Sequence, residues 1–211
     1  MRFKVSLLLV LLVVSASAHE RTDIGFFLGT SYYVGDYNPR TQFYQPSPSG
    51  GVLLKQNLSN LYSVRVSAAT GGVQGSHNQN TFYLPGETNP FSKQFYKAEV
   101  AIEIGFLEFD TRQRRRHNFS PYVTLGFGVF YISDFNTHIP FGVGVKYTPY
   151  DRWAFGVEWR IHKTFYDEID DYVNISQSPR SIIHNNDWIG FAGIFVSYRL
   201  VRRGAVCPAY E

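Results

Sequence analysis

The sequence predicts an all-β fold, an eight-stranded antiparallel transmembrane β-barrel with a plugged, charged lumen, and three observations carry the prediction. The first is composition: 18 Phe, 15 Tyr and 3 Trp stand among 211 residues with 18 Gly and a single Met, a bias towards strands and turns over helices. The second is that eight segments alternate in character along the chain, which is the period of a strand. The third is the chemistry of the two faces. One collects apolar and aromatic side chains, and the other collects glycines and charges of both signs. A Lys or Arg facing lipid near the midplane costs about 2–4 kcal/mol, so in a membrane barrel the charges must point inward.

The first eighteen residues read as an export signal. Arg2 and Lys4 precede an apolar run over residues 5–14, and Ala16-Ser17-Ala18 has the small-x-small pattern of a cleavage site. The run is well short of the ~20 residues that a membrane-spanning helix needs, and no cysteine directly follows the cleavage point to take a lipid anchor. The expected organisation is a signal peptide at 1–18, a barrel at 19–201 and a periplasmic C-terminal tail at 202–211. Without Arg2 and Lys4 the remainder holds 18 basic against 17 acidic residues. Nucleic acid as a partner would call for a strongly basic face, so that class is set aside. With Cys207 as the lone cysteine, internal disulfides cannot support the fold. A closed barrel, in which every strand edge is paired, supplies the stability instead.

The first strand is expected over residues 23–34, with Ile24, Phe26, Leu28 and Tyr32 on one face and Gly25, Gly29 and Ser31 on the other. The second, 51–58, is short and poorer in contrast, with Val52 and Leu54 outward and Lys55 inward. The third, 61–70, is the cleanest: Tyr62, Val64, Val66 and Ala68 against Ser63, Arg65 and Ser67. The fourth, 95–109, sets Tyr96, Val100, Ile102 and Ile104 against Lys97, Glu99 and Glu103. The fifth, 121–133, and the sixth, 138–148, alternate apolar residues with glycines, ending on Lys146. The seventh, 152–164, sets Trp153, Phe155, Val157 and Trp159 against Gly156, Glu158, Arg160 and His162. The eighth, 188–201, is apolar on both faces until Ser197 and Arg199, which leaves its register open.

This parity directs Arg65, Lys97, Lys146 and Arg160 into the lumen, where they can meet Glu99, Glu103 and Glu158. Paired charges are far less costly there than isolated ones. The glycines of the fifth to seventh strands give the long side chains room, and the small bore of an eight-stranded barrel makes a plugged lumen the expectation.

Such barrels have short periplasmic turns and longer external loops. With both termini periplasmic, the external loops fall at 35–50, 71–94, 134–137 and 165–187, and the turns at 57–60, 110–120 and 149–151. Aromatics near strand ends, Tyr32, Tyr62, Tyr131, Tyr147, Trp153 and Trp188, suit interfacial girdles. Localisation in the cell outer membrane follows from the export signal and this pattern together.

No catalytic, cofactor or metal constellation emerges. His184, Asp187 and the acidic run Asp167, Glu168, Asp170 and Asp171 are the nearest approach to an acid–base set. Nothing in their spacing brings them within the hydrogen-bond reach that acid–base work requires, and the turn glycine of a calcium loop is absent. A solvated acidic loop is the simpler reading. The phosphate-loop, zinc-protease and nucleophile-elbow motifs do not occur. Two periplasmic features stand out as docking candidates: the turn bearing Arg112, Arg114, Arg115 and Arg116, and the tail bearing Arg202, Arg203 and Cys207. A clustered positive turn is either a solvated loop or a knob for an acidic partner or lipid headgroups. An odd cysteine in an oxidising compartment points to a free thiol or an intermolecular bridge.

Several stretches carry a resemblance to a known family: residues 29–36 (GTSYYVGD), 120–123 (SPYV), 139–144 (IPFGVG) and 163–172 (KTFYDEIDDY). Together, from about Thr22 to Tyr198, the chain resembles the PorG-like outer-membrane barrels of the type IX secretion system, most specifically in the Thr-Phe-x-Asp-x-x-Asp-Asp segment after the seventh strand. The resemblance implies a non-enzymatic accessory barrel without cofactors, sitting over a periplasmic ring built by the lipoprotein PorK and its companion PorN. Relatives of this type also include free-standing barrels that would bind ligands or surfaces through their external loops, and that alternative stays open here.

Overall fold

The computed structural model describes residues 22–34, 42–75, 90–107, 118–150, 152–165 and 188–200. Eight strands run through them: β1 (Thr22–Val34), β2 (Ser47–Asn57), β3 (Tyr62–Gly75), β4 (Phe91–Gly105), β5 (Phe119–Tyr131), β6 (Phe135–Tyr150), β7 (Trp153–Thr164) and β8 (Trp188–Arg199). Each pairs antiparallel with the next, and β1 pairs β8 from Asp23↔Arg199 to Val34↔Trp188, which closes the sheet into a barrel. Closure removes the strand edges that hydrocarbon, offering no hydrogen-bond partner, cannot satisfy. No described residue is helical.

Side-chain direction follows the period of two that a pleated strand imposes. Odd-numbered residues of β1–β4 and β8, and even-numbered residues of β5, of β6 as far as Thr148 and of β7, point into the lumen. The polarity is inverted relative to a soluble protein. Phe26 is 65% exposed and Val100 51% on the outer surface, whereas Glu103 and His162 are fully enclosed. The fold is thus a transmembrane β-barrel, with an apolar exterior suited to lipid and a polar interior.

Strand ends differ from the alternation in informative ways. Strand β2 starts at Ser47, because Ser47 and Ser49 take lumenal positions without the polarity contrast that would announce a strand. The β3–β4 hairpin reaches Gly75 and returns from Phe91, with strands of 14 and 15 residues, longer than the ~9–11 that a tilted crossing needs. Its far outward positions, Thr70, Gln74, Ser92 and Gln94, are polar. Strand β6 begins at Phe135 and shortens that connection to residues 132–134. Between β2 and β3, Ser59 Oγ accepts from the N–H groups of Leu61 (3.2 Å) and Tyr62 (3.0 Å), a side-chain turn of the kind serine favours.

Two expectations on side chains are resolved by packing. Tyr62, Tyr131, Tyr147 and Trp153 stand exposed at strand ends, as girdle residues do. Tyr32 does not: its ring lies over Gly190, where a Cβ would collide with it, and it is wholly buried. Strand β8, apolar on both faces, turns Ile189, Phe191, Phe195 and Ser197 inward and Ile194 outward. Its inward aromatics join Phe95, Phe130 and Tyr33 in a cluster packed inside the barrel. Phe95 meets Phe130 and Phe191 edge-on at 5.3 and 5.4 Å between ring centres, a preferred aromatic geometry.

Candidate functional site

The lumen is where the polar chemistry of the described chain concentrates. Lys55 from β2, Arg65 from β3, Lys97, Glu99 and Glu103 from β4, Lys146 from β6 and Glu158 and Arg160 from β7 are all buried. They form one ladder of alternating sign. Glu103 receives Lys146 at 2.5 Å, Arg65 at 3.2 Å and Lys55 at 3.6 Å. Arg65 continues to Glu158 at 2.7 Å, Glu158 to Arg160 at 3.0 Å, and Arg160 to Glu99. Lys97 ends the chain, 3.3 Å from Glu99.

Hydroxyls take up further carboxylate capacity. Ser67 Oγ donates to Glu99 at 2.8 Å, Ser63 Oγ to Glu103 at 3.3 Å and Tyr122 OH to Glu158 at 3.0 Å. Tyr122 fits only because Gly144 lies beneath its ring, and Gly156 makes the same space for Phe195. Five cations thus share three carboxylates in this ladder, and aromatic faces lie against the three lysines. Lys97 Nζ lies 3.8 Å from the centre of the Phe191 ring, Lys146 Nζ 4.4 Å from that of Tyr122 and Lys55 Nζ 5.5 Å from that of Phe195, distances at which a ring quadrupole attracts a cation. A separate pair closes the sheet: Asp23 accepts from Arg199 Nε and from Asn57 Nδ2, each at 2.9 Å.

Glu99, His138 and His162 also approach one another closely enough to suggest a metal centre. The surroundings do not fit one. Glu99 is already held by Arg160 and Lys97, and Lys97 Nζ sits 3.2 Å from His162 Nε2, so a divalent cation would face two resident positive charges. The two histidines instead pack beside Glu99, with His138 Nε2 at 3.4 Å and His162 Nδ1 at 3.5 Å from its carboxylate.

The seven residues that the sequence assigned to a lumenal charge network, Arg65, Lys97, Glu99, Glu103, Lys146, Glu158 and Arg160, meet in this ladder. Lys55, which the sequence had also turned inward, belongs to it too, as do Tyr122 and His138. Their parity within β2, β5 and β6 was the signal that could have joined them to it. The docking candidates Arg112, Arg114, Arg115, Arg116, Arg202, Arg203 and Cys207 lie outside the described residues, as do His184, Asp187, the acidic run and the signal segment 1–18.

Over residues 2–209 the sequence matches the family described as a domain of unknown function, DUF6089. The chain belongs to that family. No curated protein matches it. Among solved structures, this DUF6089 member is similar to Neisserial surface protein A, with a TM-score of 0.51 at 9% identity over 85% of this chain and 97% of that one. It is also similar to Ail of Yersinia pestis (TM-score 0.46, 11% identity, 86% of this chain and 99% of that one). A third is the N-terminal β-barrel domain of OprF from Pseudomonas aeruginosa (TM-score 0.46, 10% identity, 85% and 98%). At such identities the likeness to Neisserial surface protein A speaks for the barrel fold alone.

Proposed function

We propose that this protein is an integral outer-membrane barrel with a docking role, a non-enzymatic component that holds a periplasmic ring complex of a protein-secretion machine to the membrane. One observation carries the reading: the bore is filled by the ion-pair ladder and by the Phe95–Phe130–Phe191 cluster. An eight-stranded barrel has an interior just wide enough for side chains to fill, and here they fill it. Function then belongs to the two rims and the outer surface.

The resemblance to PorG-like barrels of the type IX secretion system supports the finer assignment, with PorK and PorN as partners. In this reading both termini are periplasmic. The basic turn with Arg112, Arg114, Arg115 and Arg116 and the tail with Arg202, Arg203 and Cys207 then face the ring. A clustered positive patch suits an acidic partner surface, and Cys207 is placed to form a bridge to it.

The test is a mild-detergent pull-down from outer membranes with a tag in an external loop, run with and without reductant. Recovery of PorK and PorN, with a reductant-sensitive link lost in Cys207→Ser, is the expected result. A barrel recovered alone, with no ring protein under either condition, overturns the docking role in favour of a free-standing barrel that works through its external loops.

A further inference from the structure

On the outward parity of the eight strands every side chain is uncharged except one, Lys163 near the end of β7. It stands in register with Ile139 of β6 and Trp188 of β8, and its Nζ lies 5.5 Å from the centre of the Trp188 ring. Directly below it, Phe141 and Trp188 meet edge-on across β7 at 6.1 Å and form a ridge over Ile161.

A groove lies on each side of that ridge, and Ile161 lines both. The larger, about 420 Å³, has Val123, Leu125, Phe141, Val143 and Trp159 in its walls. The smaller, about 190 Å³, lies between Tyr32, Val34, Gln42, Trp188 and Gly190. Its walls are fixed in place. Trp159 Nε1 donates to Tyr32 OH at 2.6 Å, and Tyr32 OH donates to Gln42 Oε1 at 2.9 Å. Phe43 packs on the Tyr32 ring at 4.7 Å. Phe43 and Gln45 hold that segment with φ of 59° and 46°, a left-handed conformation that is costly for residues other than glycine.

We propose that this surface binds one phosphorylated, multiply acylated lipid of the outer leaflet, of the lipid A kind, with a phosphate on Lys163 and an acyl chain in each groove. The inference rests on the outer-membrane placement above and not on the secretion role. Charge complementarity and shape select the occupant. Lys163, the one charged side chain on the outward parity, stands at the lipid-facing rim, where a lysine reaches the headgroup level by extending its stem, and the space around the ridge below it is apolar and divided in two. The rim is that of the long connections between β1 and β2 and between β7 and β8, which such barrels place outside, so the lipid comes from the outer leaflet. Walls set before binding remove part of the ordering cost, and that separates a site from ordinary annular contact.

The test uses the full chain carrying Trp153→Phe, which leaves Trp159 and Trp188 as reporters beside the grooves. The protein is inserted into vesicles of phosphatidylcholine with brominated acyl chains, which quench both, and unbrominated lipid A is added at rising mole fraction. Emission recovers at a mole fraction well below that expected from simple dilution of the quencher. Lys163→Gln raises the amount needed by about fivefold, the contribution of one Lys at a membrane surface. Val143→Phe, which fills the larger groove, brings recovery back to the dilution line. A heat-modifiable gel shift reports insertion in every case, so failure to enter the membrane is distinguished from failure to bind. Recovery that follows dilution in the inserted parent overturns the site, and equal recovery with phosphatidylglycerol overturns its assignment to lipid A.

Discussion

Arg65 Nη1 and Glu158 Oε2 lie 2.7 Å apart across the centre of the barrel, although 93 residues separate them in the chain. Their strands, β3 and β7, stand four positions apart in a ring of eight, so the pair is a strut between opposite walls. Breaking a buried pair costs more than the pair contributes, because the remaining charge is left without a partner. Glu158→Gln is therefore expected to lose about 3–5 kcal/mol of stability, read from urea unfolding in vesicles. The double variant Arg65→Met with Glu158→Leu should recover most of that loss. A single variant as stable as the parent would mean that the strut carries no energy.

Glu103 is the common acceptor of Lys55, Arg65 and Lys146. Glu103→Leu strips three cations of that carboxylate at once and should destabilise the barrel by a few kcal/mol, by the same reasoning. The temperature at which the heat-modifiable band unfolds should fall clearly below that of the parent. An unchanged temperature would speak against the importance of this end of the ladder.

The apolar band can be mapped with a single charge moved along β4. Val100 and Ser92 share the outward face; Val100 lies within the apolar band and Ser92 on the polar extension of the hairpin. Val100→Arg should cost about 2–4 kcal/mol and Ser92→Arg about 0–1 kcal/mol, compared by refolding into vesicles. Equal costs would place the membrane boundary elsewhere.

A methyl group at residue 190 would occupy the space of the Tyr32 ring. Gly190→Ala should push Tyr32 away from Trp159, break the 2.6 Å hydrogen bond between them and cost about 1–3 kcal/mol as an overpacking change. A shift of Trp159 emission, measured with Trp153 and Trp188 replaced by Phe, reports it; an unshifted spectrum would show that the contact is dispensable.

Arg65, Glu158, Phe130 and their neighbours are buried inside the described barrel, and side chains packed across so narrow a bore should block the flow of ions. Planar bilayers with the inserted protein should show no stable unitary conductance. Steady, uniform steps would mean that the plug opens.

Strand number and the direction of side chains were legible in the sequence wherever a polarity contrast accompanied the period of two. Arg65 among valines and Glu99 and Glu103 among Val100, Ile102 and Ile104 admit one orientation in lipid, because the reverse exposes charge to hydrocarbon. Where the contrast vanished, so did the signal: Ser47 and Ser49 at the start of β2, and β8, whose two faces are both apolar. The inward turn of Phe191 and Phe195 is decided by the walls they meet, Gly156 under Phe195 and Lys97 against Phe191. Which acid meets which base was likewise a property of the closed cylinder. Closure and stagger determine which strands face each other, and a pair such as Arg65 and Glu158, on opposite walls, leaves no trace in local spacing. Tyr32 shows the same limit on the outer surface. Its parity is that of a girdle residue, but its burial depends on Gly190, Trp159 and Phe43, brought together only by the pairing of β1 with β8 and the turn before β2. Period and polarity, which are local, thus determined the barrel and the faces of its strands, whereas the tertiary structure decided every contact made across it, because those contacts depend on distances that exist only once the ring is shut.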